Sequence, residues 1–132
     1  MEITKKEDKQ KAINLIETAD KDLKFTFSLP VSQNSSNTII RNIYESFRML
    51  GEASLVSKWI EFSDHIESLN ELLQLELDTS RPISLLDNLR KLRHKINYNG
   101  YLSTIEESQE AISIAKSLFT KLKKEVENKI KK

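Results

Sequence analysis

Apolar residues recur every three or four positions along most of the chain, the period of an α-helix that buries one stripe. Ile16, Leu23 and Phe27 mark a first helix, which the pair Thr4-x-x-Glu7 suits as a capping box. Ile39, Ile43, Phe47 and Leu50 mark a second. Trp59, Phe62, Ile66, Leu69 and Leu73 carry the period into a third, after a bend or break that falls within residues 51–63. Leu85, Leu89, Leu92 and Ile96 mark a fourth, with Ser84-x-x-Asp87 placed to cap it. Ile112, Ala115, Phe119, Leu122 and Val126 mark a fifth, with Thr104-x-x-Glu107 at its start and lysines in its last turns, where the helix dipole favours them.

The pattern breaks at residues 29–37, rich in Pro, Ser and Asn, at residues 78–82, which end in a proline, and at Asn99-Gly100, which supplies left-handed residues. These breaks are too short for domain linkers. Short connections place successive helices side by side, so the expectation is one all-α domain over residues 1–132, an up-and-down bundle of four to five antiparallel helices.

Composition sharpens this. Two glycines and two prolines in 132 residues starve a β-rich fold of turn residues. The absence of cysteine removes disulfides, thiolate ligands and thiol nucleophiles. No apolar run is long enough for a membrane span, and the first residues, Met1-Glu2-Ile3-Thr4-Lys5-Lys6-Glu7-Asp8, lack the apolar stretch of a signal peptide. The expectation is a cytoplasmic protein with no membrane partner. A formal net charge of +1 gives no global attraction for nucleic acid, so any such binding must come from a local patch.

One patch exists. Arg90, Lys91, Arg93, His94 and Lys95 crowd the C-terminal end of the fourth helix. Basic groups there offset the helix dipole, and a solvated basic face is what many surface helices show. Arg93, however, lies only about 40° around the helix from Leu89, at about 100° per residue, and should be partly buried. Arg90 and Asn97 follow on the same flank. A guanidinium so placed needs a partner: a carboxylate of the bundle, a carboxylate across a dimer, or a phosphate.

The run Leu89-Arg90-Lys91-Leu92-Arg93-His94-Lys95-Ile96-Asn97-Tyr98-Asn99-Gly100-Tyr101, followed by Thr104-Ile105-Glu106-Glu107-Ser108 and a helix containing Ala111 and Ala115, resembles the HEPN family (higher eukaryotes and prokaryotes nucleotide-binding domain). Members end their penultimate long helix with an arginine, a polar residue, three variable residues and a histidine, often followed by Gly-Tyr. The resemblance places the arginine at Arg93 and the polar residue at His94, and finds Tyr98 where the family's catalytic histidine stands. In ribonuclease members these groups meet across a dimer interface and cleave RNA without metal. An imidazole trades protons near neutral pH, whereas a phenol with a reference pKa of about 10 is a poor general base. His94 does not substitute, since it precedes Tyr98 by one turn and Arg90-x-x-x-His94 is one residue short of the family spacing.

Arg93 to Tyr98 is similar instead to a variant group with Arg-x-x-x-[Asp/Asn]-Tyr, often found beside a minimal nucleotidyltransferase in toxin–antitoxin pairs. The resemblance therefore implies a non-catalytic module for RNA, nucleotide or partner binding, homodimeric, with Arg90, Arg93, His94, Asn97, Tyr98 and Tyr101 at the site and no cofactor. The alternatives are a metal-independent endoribonuclease toxin, in which Arg93, His94 and Tyr98 are catalytic, and a plain helical interaction protein.

Other candidates are weaker. His65 has no second histidine at metal-ligand spacing, so no metal site is expected. Glu106-Glu107 falls at a helix start, where carboxylates belong. No Gly-rich phosphate loop is present, and Trp59, Phe62 and Phe47 fall at core spacing.

Overall fold

A computed structural model describes residues 5–58 and 65–131, with side chains at 9–58 and 68–131. These residues form five helices and no strand: α1 (Lys5–Phe27), α2 (Ser36–Ser57), α3 (His65–Leu73), α4 (Leu85–Asn99) and α5 (Ile105–Lys131). The Thr4-x-x-Glu7 capping box, Trp59, Phe62 and the side chains of His65 and Ile66 lie outside the described residues.

The stripes read from the period are the ones buried. Ile16 and Leu23 on α1, Ile39, Ile43, Phe47 and Leu50 on α2, Leu69 on α3, Leu89 and Ile96 on α4, and Ala115, Phe119, Leu122 and Val126 on α5 join one apolar cluster. Phe27, Leu73, Leu85, Leu92 and Ile112 pack at its edge, half-buried. The Phe47 and Phe119 rings meet edge to face at 5.5 Å.

The arrangement departs from a ring of sequential neighbours. The central helix is α2: it packs on α1, α3, α4 and α5, whereas α4 meets α3 and α5 only slightly. This follows from its composition, since α2 buries residues around much of its circumference, Tyr44 and Ser46 included. A helix apolar on several sides belongs in the middle.

The break expected within residues 51–63 falls after Ser57, where α2 ends, with Gly51 inside that helix. Another boundary differs from the sequence reading. The break expected at residues 78–82 starts earlier: α3 ends at Leu73, and residues 74–84 form a non-helical strap whose Leu75, Leu77 and Ile83 pack on the core. Their alternate spacing is an extended-chain pattern inside what reads as a helical run. Arg81 ties the strap to Glu110 and Ser113 of α5. Ser84 makes no capping hydrogen bond, because its own backbone is already helical (φ −56°, ψ −18°) and α4 starts instead through tight turns from Pro82 and Ile83. Asp87 turns to Arg90 and Lys91 instead.

The start of α5 behaves as the sequence implies. The Thr104 amide donates to Glu107 Oε1 (2.9 Å) and the Glu107 amide to Thr104 Oγ1 (3.0 Å), a reciprocal capping box. Gly100 is left-handed (φ +68°), and the Tyr101 amide closes α4 on the Lys95 carbonyl. Asn37 of α2 then fastens this corner: its Oδ1 accepts from the Ser103 amide and hydroxyl, and its Nδ2 donates to the Tyr101 carbonyl.

Candidate functional site

The spacing Leu86, Leu89, Arg93, Ile96 is a continuous helical stripe, and three of its four members are buried apolar residues. Arg93 thus occupies a core-facing position, as its angle from Leu89 implies, and is half-buried. Among the groups it meets there is an aromatic ring. Its guanidinium carbon lies 5.3 Å from the ring centroid of Tyr44 on α2, within cation–π range. Tyr44 is 1% exposed and forms the floor of the site. Burial pushes its hydroxyl pKa up, against the lowering pull of Arg93, Arg48 and Arg90, so the floor is a neutral phenol.

A second ring flanks the same guanidinium. Tyr98, in the last turn of α4, has its centroid 5.8 Å from the Arg93 guanidinium carbon and 4.7 Å from the His94 ring. Tyr98 is 66% exposed. Asn97, one turn beyond Arg93, is also exposed. Arg93, His94 and Tyr98 therefore form one cluster seated on Tyr44, open to solvent on its outer side.

The remaining basic residues are committed elsewhere. Arg90 Nε donates to Asp87 Oδ1 (2.8 Å), and Lys91 reaches the other oxygen of that carboxylate. The Arg90 hydrogen bond and its charge, joined by Lys91, hold Asp87 below the ordinary aspartate pKa against its partial burial. Lys95 lies over the Tyr101 ring at 4.5 Å.

Tyr101 parts company with the other candidates. Its hydroxyl donates to Glu107 Oε1 (2.7 Å), the same oxygen that caps α5, and the hydrogen bond raises the phenol pKa. Burial works to raise the Glu107 pKa, but the hydrogen bonds from Tyr101 and Thr104 outweigh it and leave a firm carboxylate. Tyr101 fastens the α4–α5 corner, and Lys95 sits roughly 160° around α4 from Arg93 at about 100° per residue.

Tyr44 is the residue that sequence reasoning missed. A visible signal existed: a tyrosine set in the stripe Ile40, Tyr44, Phe47, where burial leaves its ring to face a neighbouring helix. Nothing local pairs it with Arg93. Among the described residues no three His, Asp or Glu side chains gather as a metal site, and no helix is long and apolar enough to cross a membrane.

No family model, no curated protein and no solved structure matches this chain.

Proposed function

We propose that the chain is a HEPN-like module that binds RNA or nucleotide phosphate at Arg93, without catalysing its cleavage. The observation that carries this reading is the guanidinium held over the buried Tyr44 ring and beside the exposed Tyr98 ring at the basic end of α4. A guanidinium has five N–H donors, which allows one group to serve contacts within the bundle and a phosphate together. The rings fix its direction before the ligand arrives, which reduces the ordering cost of binding. The motif that resembles the HEPN variant group, Arg93 to Tyr98, is the same set of residues.

Affinity should be modest and salt-dependent. Asp87 offsets one of the two charges of Arg90 and Lys91, so the patch neutralises about one to three phosphates, and log K should fall with log[salt] with a slope of roughly −0.7 to −2.7. Arg93→Ala is expected to weaken binding of a short single-stranded RNA at least about tenfold and to reduce that slope by about one. Fluorescence anisotropy at several salt concentrations measures both. An affinity that is independent of salt, or of Arg93, rules out this site.

The resemblance brings two assemblies into the proposal: a homodimer through the face bearing the end of α4, and a minimal nucleotidyltransferase partner in a toxin–antitoxin pair within the cytoplasm. Light scattering at micromolar concentration should give twice the 15.3 kDa chain mass. A monomer there counts against the homodimer.

A further inference from the structure

We propose that the site also reads an unpaired nucleobase, with Tyr98 as the stacking surface and Arg93 on the adjoining phosphate. This deepens, and rests on, the assignment of Arg93 as the phosphate-binding group. Large aromatic rings are normally withdrawn from water, yet Tyr98 is 66% exposed. His94 packs against it at 4.7 Å with the planes 39° apart, and the Arg93 guanidinium lies 5.8 Å from its centroid. An exposed ring flanked by a second ring and a guanidinium offers a face on which a base can stack. Each base offers a π-face, so such a platform accepts bases with little regard to identity, and an adjacent guanidinium adds to the stack.

The geometry also sets the size and strandedness of the ligand. One ring and one guanidinium stand side by side, which suits a base and its own phosphate joined by one sugar. Arg90, a turn earlier on the same flank, is tied to Asp87, and Lys95 is turned to Tyr101, so Arg93 is the basic group that adjoins the Tyr98 ring. One ring beside one guanidinium makes the recognised unit about one nucleotide long. Bases in a duplex are stacked on each other and cannot reach a single exposed ring, whereas those of a single strand can splay onto it. The class of ligand is a single-stranded nucleic acid or free nucleotide, taken by one base and one phosphate.

The test titrates the full chain with four fluorescein-labelled probes: a six-nucleotide RNA, the same sequence in DNA, an abasic sugar-phosphate oligomer of the same length, and an RNA hairpin stem. Wild type should bind the RNA and DNA strands at least about tenfold more tightly than the abasic oligomer and the stem. Tyr98→Phe should retain this preference, and Tyr98→Ala should lose roughly 5- to 150-fold, the range that stacking of one base spans. Because Tyr98 is exposed, neither change should disturb folding, which circular dichroism confirms. Preference for RNA over DNA would add recognition of the 2′-hydroxyl; equal affinity assigns recognition to base and phosphate alone. Equal binding of the abasic oligomer and insensitivity to Tyr98→Ala would overturn the stacking role while leaving the Arg93 phosphate site intact. No Arg93-dependent binding of any probe would overturn both.

Discussion

Gly51→Ala should destabilise the protein by at least about 3 kcal/mol, reversing the sign that this substitution has in most helices. An alanine inside a helix is ordinarily favoured over glycine by about 1 kcal/mol, because it loses less backbone freedom on folding. Gly51 lies within α2 and faces α3 at a distance that leaves no room for a methyl group. A Cβ there would stand 1.7 Å from the Ser68 carbonyl oxygen and 2.5 Å from its carbonyl carbon. Both are backbone atoms of a helix, so no rotamer change relieves the clash, and α3 would have to move off α2. Leu69 and Leu72 would then leave the core. Urea denaturation followed by circular dichroism measures the difference between variant and wild type. A Gly51→Ala protein as stable as wild type would mean that α2 and α3 do not approach at this point.

Tyr98→His should raise metal-free cleavage of single-stranded RNA by about 10² to 10⁴ over wild type, the usual worth of a positioned general acid or base. The prediction rests on the resemblance of Arg93 to Tyr98 to the HEPN motif, in which a histidine occupies the last position. An imidazole placed there would stand beside the guanidinium that now flanks the Tyr98 ring. It would supply a group that exchanges protons near neutral pH, next to a cation suited to a developing phosphorane charge. Adding Arg93→Ala to the same protein should abolish the gain. Gel assays in the presence of a chelator, on wild type and both variants, measure this directly. Vigorous wild-type cleavage that depends on Arg93 would replace the binding module with a ribonuclease. No gain from the histidine would show that more than one residue separates this site from a catalytic one.

Stripe positions such as Ile43, Phe47, Phe119 and Leu122, the Thr104–Glu107 capping box and the left-handed Gly100 were all legible in the sequence. Each depends on residues within a turn or two of one another, and helical periodicity, capping and φ preference are properties of that local scale. The half-burial of Arg93 was legible for the same reason, since its angle from Leu89 is set by the helix alone.

Only the tertiary structure decided which ring that half-buried arginine meets. The sequence pointed to a carboxylate or a phosphate as partner; the fold also brings up the Tyr44 ring, from a helix that local periodicity cannot pair with α4. The same limit hid the Gly51–Ser68 approach, and the bonds from Asn37 to Ser103, which join positions 66 residues apart. It also separated Tyr101 from the site, because its hydroxyl found Glu107 across the α4–α5 corner. The strap at residues 74–84 was obscured differently: Leu73, Leu75 and Leu77 alternate, but beside a longer helical period the short alternation is outweighed unless the surface it packs on is known. Periodicity tells a helix which face to bury; the choice of neighbour belongs to contacts between segments far apart in the chain, and those contacts set Arg93 between two rings.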